Sequence, residues 1–162
     1  MPQICRSVSI TLPRHAELPS DGLARLSCAC RFLDAQAAVY TDVIAELSTG
    51  EKRSHWMWFI FPQLARLGSS QMSEKYALAN LDEAAAYLAH PVLGARLCQC
   101  AEFVVAAQIL AVERMLPWPD NLKFHSSMTL FSQVHGHDEV FDSALGKYFA
   151  FQLDQRTLRL LR

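Results

Sequence analysis

The sequence predicts a mainly α fold, a compact single-domain multi-helix bundle with a loose N-terminal arm. Three observations predict it. From Phe32 onward, apolar residues recur at three- and four-residue steps, the spacing of one helix face. Ser, Asn and Asp stand where helices would start, and Gly or Pro where they would stop. No Asn-Gly or Asp-Gly pair separates alternating apolar and polar runs, so hairpin signals are missing.

Residues 1–22 hold three of the prolines, at positions 2, 13 and 19, with no sustained periodicity, and read as a flexible arm preceding a helical domain over 23–162. Within the arm only Ser7–Leu12 alternates, as a strand at a sheet edge would. Phe32, Ala35, Gln36, Val39, Tyr40, Val43, Ile44 and Leu47 form one stripe, and Gly50 is its expected stop. Ser69-Ser70 can cap a short helix carrying Met72 and Tyr76. Asn80 and Glu83 form a capping box that opens Leu81–Ala89. Pro91 suits the first turn of a long helix reaching Leu110, with Leu93, Leu97, Cys100, Ala101 and Val104 facing inward. Pro117-Trp118-Pro119 breaks that run, and Asp120 is positioned to cap a helix to Ser132. Two more helices are expected, Asp138–Phe149 and Asp154 to the end. The apolar stretch His55–Phe61 fits a short buried strand and a tight helix equally well.

Composition narrows the function classes. Hydrophobic residues make up 51% and charged residues 19%, against about 45–50% and about 25% in typical domains, so the chain can bury a core. Fifteen Lys and Arg against sixteen Asp and Glu leave a net charge of −1, which supplies no excess positive charge for a phosphate backbone, so nucleic acid is an unexpected partner. The start of the chain lacks a secretory signal, and its most apolar run, Phe103–Val112, is too short to span a membrane. A cytoplasmic protein with free thiols is expected. The pairs Cys28/Cys30 and Cys98/Cys100 lie in helical segments, where residues two apart diverge, so neither is a metal site. His135-Gly136-His137-Asp138 lacks a further ligand at readable spacing and suits a polar turn. No metal or cofactor is expected.

Chemistry-bearing residues gather in two segments. In Lys52–Gln63 a cation, His55 and the rings of Trp56 and Trp58 sit together, a plausible wall for a ligand with a ring and a negative group. The alternative for each ring is ordinary core packing. His55, with an ordinary pKa of about 6.5, suits acid–base work near neutrality. In the second segment Lys123 stands three and four residues before Ser126 and Ser127, so ammonium and hydroxyls share a helix face and could hold an anion. Gln36, on the apolar stripe, needs a hydrogen-bond partner, either backbone or ligand. Asp34 and Glu46 are the carboxylates beside that stripe. Glycine-rich nucleotide loops, His-Glu-x-x-His and Gly-x-Ser-x-Gly are absent from the sequence.

The segments Arg31–Gln36, Lys52–Gln63 and Leu122–Phe131, with Leu88–Leu97 and the closing Asp154-x-x-Thr157-Leu158, resemble the DUF1810 family over residues 31 to 161. The resemblance implies a small, predominantly helical cytoplasmic domain and no established reaction. The family's distinctive polar positions match Asp34, Gln36, Lys52, His55, Gln63, Lys123, Ser126, Ser127 and Thr129. The sequence departs from the family pattern at Ala150-Phe151-Gln152, where the resemblance implies a glycine-containing turn.

Two functions follow as expectations. In the first, a pocket takes a small anionic, ring-containing molecule such as a nucleotide or an ADP-ribose-like compound, and any reaction there would be hydrolysis of a glycosidic bond. Trp56 or Trp58 would stack, and Lys52, Lys123, Ser126 and Ser127 would hold the anion. Gln63 and Thr129 would complete the polar lining, and His55 with Asp34 or Gln36 would orient groups or move a proton. In the second, the chain is a non-enzymatic helical adaptor whose aromatic motif is core.

Overall fold

The computed structural model of the protein describes residues 20–162, with side chains from residue 29 onward. Ser7–Leu12, Cys5 and the side chain of Cys28 lie outside the described residues. The described chain is mainly α, in the order α1 Ser20–Ala37, α2 Tyr40–Thr49, α3 Met57–Ile60, α4 Gln71–Lys75, α5 Leu81–Ala89, α6 Leu93–Ala106, α7 Asp120–Ser132, α8 Glu139–Phe149 and α9 Gln155–Leu161, with a 3-10 turn at Val112–Arg114. Among the described residues the extended pairing is limited to an isolated parallel bridge between Leu64 and Leu78. No helix among them is long and apolar enough to cross a membrane.

The stripe from Phe32 to Leu47 is not one helix. The chain turns at Ala38-Val39, where Val39 N–H donates to the Gln36 carbonyl at 3.1 Å, and α2 restarts at Tyr40 with the same face inward. Phe32, Gln36, Val43 and Leu47 are all buried, so the apolar period runs through the break. Gly50 ends α2 at φ 73°, a left-handed conformation in which its N–H reaches the Glu46 and Leu47 carbonyls. His55–Phe61 resolves as the tight helix α3 rather than a strand.

Helix starts follow the expected caps. Ser70, Asn80, Asp138 and Asp154 each accept from a backbone N–H of the helix they open. Asp120 is an exception, because it is already helical and its carboxylate turns to two lysines instead. Helix α6 stops at Ala106, short of Leu110, and Lys147 Nζ donates to the carbonyls of Val105 and Ala107 at 2.7 and 2.6 Å. The packing centres on α7, which touches α3, α5, α8 and α9, while α6 lies against α2, α5 and α8. Phe124, Ser127, Met128, Thr129, Leu130 and Phe131 of α7 are fully buried. Close approach of α5 and α6 needs Gly94, where a Cβ would lie 1.9 Å from the Leu88 carbonyl oxygen.

The departure at Ala150-Phe151 has a structural consequence. Ala150, at φ 50°, and Phe151, at φ 60°, both occupy the left-handed region that glycine enters without penalty. Ala150 closes α8, its N–H donating to the Leu145 carbonyl. Ala150→Gly is therefore expected to stabilise the protein by about 1 kcal/mol or less, since relief of the left-handed strain is partly offset by a freer unfolded chain. Urea unfolding of the two proteins measures the difference, and a destabilised variant would contradict the assigned strain.

Candidate functional site

The site starts from α3, a single turn. Met57, Phe59 and Ile60 face the core, which leaves Trp58 on the outer side, partly buried. Lys123 of α7 places its Nζ 4.4 Å from the centre of the Trp58 ring. The same ammonium lies 2.8 Å from Asp120 Oδ1, and Lys52 Nζ lies 2.7 Å from Asp120 Oδ2. Lys52 also donates to the Ser54 carbonyl at 2.6 Å and stands 4.9 Å from the Trp56 ring. One carboxylate thus bridges two lysines and joins the loop before α3 to the start of α7. Burial works to raise the Asp120 pKa, but the bonds from Lys123 and Lys52 outweigh it and hold the carboxyl below its usual range.

Glu46, at the end of α2, fixes the other side of the loop. It accepts from Arg53 N–H at 2.8 Å, Ser54 N–H at 3.1 Å, the Ser54 hydroxyl at 2.5 Å and the Trp56 indole at 2.8 Å. Partial burial pushes its pKa up, yet the Ser54 hydroxyl, Arg53 N–H, Trp56 indole and Ser54 N–H together bring it down to about 2.

Two depressions open on either side of Trp58, Pro119 and Lys123, which line both. One, of about 400 Å³, adds Gln63, Ser69, Ser70, Ser73, Ser126 and Arg156 among its walls. The other, of about 370 Å³, adds Lys52, His55, Trp118 and Asp120. Trp118, between the two prolines and joined to Pro119 by a cis peptide bond, is 77% exposed. The two depressions thus adjoin at Trp58, Pro119 and Lys123, with cations on the walls of both, and together are called the cleft.

Of the residues expected at a site, the structure brings Lys52, His55, Trp58, Gln63, Lys123 and Ser126 together on this cleft. His55 is exposed at its rim. Trp56 is buried with its indole on Glu46. Ser127 is fully buried and its hydroxyl has no partner among the described residues, while Thr129, also buried, accepts from Asp154 N–H at 2.9 Å. Gln36 is enclosed: its Nε2 donates to the Phe59 carbonyl at 2.7 Å and to the Tyr87 hydroxyl at 3.1 Å, and its Oε1 accepts from Arg96 at 3.2 Å. Asp34 is exposed on α1 and does not line the cleft. At the other candidate turn, His137 is engaged by the Val134 carbonyl and the Asp142 carboxylate. Sequence reasoning missed Trp118, Asp120 and Arg156. Trp118 carried a readable signal, a tryptophan that belongs to no apolar stripe.

A family model described as a protein of unknown function, DUF1810, matches residues 28–161. No curated protein matches the chain. Among solved structures, the crystal structure of the conserved hypothetical protein Rv1873 from Mycobacterium tuberculosis is similar, with 46% sequence identity, a TM-score of 0.79, and coverage of 81% of this chain and 94% of that one.

Because the Glu46 pKa is lower in the folded protein than its ordinary 4.5, its bonds stabilise fully above that value, and the contribution is lost as pH falls toward about 2. Glu46→Gln should therefore lower stability at neutral pH by about 1–2 kcal/mol, discounted for the exposure of the carboxylate. Unfolding at about pH 7 and about pH 3 should show the wild-type advantage shrinking in acid. An advantage independent of pH would remove the charge from the explanation.

Proposed function

The chain belongs to the DUF1810 family of unknown function, and we propose that it binds a small anionic, ring-containing ligand, such as a nucleotide or an ADP-ribose-like molecule, in the cleft around Trp58. One observation carries this reading. A partly exposed indole lies at the junction of two depressions with an ammonium over one of its faces, 4.4 Å from its centre, so an aromatic surface and a charge meet at one place. The ring of the ligand would lie against Trp58, with Trp118 as a second aromatic wall. Its anionic group would face Lys123, Arg156 and the hydroxyls of Ser69, Ser70 and Ser73.

Binding has more support than hydrolysis. Asp34 and Gln36 do not line the cleft, and Asp120 is engaged by two lysines, so acid–base work there would fall to His55. A cytoplasmic setting fits free thiols, of which Cys30 is exposed while burial pushes the pKa of Cys98 up to about 11 and that of Cys100 up to about 12. The adaptor reading draws on one specific observation, the exposure of Trp118 and Leu122, 77% and 51%, on the walls of the same cleft.

Thermal unfolding with AMP, ADP and ADP-ribose separates the two. A ligand at 100 times its Kd should stabilise the protein by about 2.7 kcal/mol, a shift of several degrees. Trp58→Ala and Lys123→Gln should each abolish most of that shift. If no ligand moves the transition, or Trp58→Ala leaves the shift intact, the proposal fails and the adaptor reading gains.

A further inference from the structure

Beyond Lys123 the cleft runs into a basin whose charge is one-sided. Arg66, Arg156 and Arg159 surround a depression of about 190 Å³ floored by Leu67 and Leu160, and it shares Leu67 and Arg156 with the 400 Å³ half of the cleft. None of these three guanidiniums is paired with a carboxylate among the described residues, whereas Arg31 and Arg53 meet Glu83 and Glu51. Arg156 and Arg159 stand one helical turn apart on α9, where like charges repel. The neighbouring carboxylate does not relieve them, since Asp154 is taken up by Ser126, Thr157 and backbone N–H groups. In a chain of net charge −1, three arginines without a carboxylate partner make this basin locally positive.

The arginines are also held in place. Arg156 Nη2 donates to the Leu67 carbonyl at 3.3 Å, and Arg159 Nε to the Gln155 carbonyl at 3.2 Å, so each is anchored by one donor and keeps others free. Arg66 has a backbone φ of 74°, a left-handed conformation that costs energy for any residue with a Cβ and none for glycine. The strained backbone thus holds an exposed cation that has no carboxylate partner among the described residues.

Resting on the cleft reading above, we infer that Arg66, Arg156 and Arg159 form a second anion subsite, and that the ligand carries a diphosphate, or two anionic groups in series, on its ring. The ring occupies the Trp58 floor, the first anionic group meets Lys123 and Arg156, and the second lies among the three arginines. Guanidinium forks suit phosphate oxygens because they present paired donors in one plane.

Calorimetric titration of the full chain with AMP, ADP and inorganic pyrophosphate tests this. ADP should bind roughly tenfold or more tightly than AMP. Arg159→Gln and Arg66→Gly should each remove most of that advantage while leaving AMP affinity within about twofold, and Trp58→Ala should weaken both nucleotides. Pyrophosphate should bind the wild type and lose affinity in both arginine variants. Glycine relieves the left-handed backbone at position 66, so the melting temperature of that variant should equal or exceed the wild type's, and lost affinity cannot then be ascribed to unfolding. Equal affinity for AMP and ADP, or an ADP advantage that survives both variants, overturns the second subsite and leaves the cleft reading standing. Failure of AMP and ADP alike to bind overturns both.

Discussion

The carbonyl oxygen of Phe59 sets the geometry of everything around it. It belongs to a one-turn helix, too short to satisfy its own carbonyls, and it lies inside the protein, where an unmet acceptor is costly. Gln36 supplies a donor at 2.7 Å from α1, and Tyr87 a second at 3.3 Å from α5. The other end of the Gln36 amide accepts from Arg96 of α6. Four helices are therefore tied at one polar point in an apolar core. The tie fixes how α3 is turned, so Phe59 and Ile60 point in and Trp58 has to point out. The exposure of the indole at the cleft follows from the burial of the residue next to it.

Electrostatics then decide what that indole faces. The Lys52 side chain is only 7% exposed, and a cation so placed needs a charged partner. Asp120 provides it, and by accepting Lys123 as well it draws the second ammonium over the Trp58 ring. Two lysines and one aspartate leave a single net positive charge at the centre of the cleft, and Arg156 adds another at its edge. A chain that is close to neutral as a whole thus carries a locally basic groove. Net charge sums the whole chain, and it says nothing about a pocket a few residues wide.

That distinction explains what the sequence made legible. Local rules worked where the interaction was local: Ser70, Asn80, Asp138 and Asp154 cap the helices they precede because a cap needs only the next three residues. The turn at Ala38-Val39 was hidden, since the inward stripe continues across it and periodicity alone registers no change. Asp120 has the chemistry of a cap, yet two lysines outcompete the backbone for its carboxylate. Ser126 and Ser127 are neighbours about 100° apart on α7, and the helical period tells that they diverge without telling which one meets the cleft. In the structure Ser126 does, donating to Asp154 at 2.9 Å, and Ser127 is packed away. Arg66 and Arg156 stand 90 positions apart in the chain, so no spacing could join them.

The condition of the carboxylates argues for holding charge over breaking bonds. A general acid at neutral pH needs its pKa raised, and a carboxylate nucleophile needs an open face. Asp120 is clasped by two ammonium groups, and Asp154, behind Ser126, accepts from two hydroxyls and two backbone N–H groups. For both, burial pushes the pKa up, and the hydrogen bonds overcome it and keep the group ionised. Such carboxylates are arranged to position cations and hydroxyls. The lining of the cleft is donor-rich, with ammonium groups, a guanidinium, hydroxyls and an indole, which is the set of groups that a phosphate-bearing ring would meet.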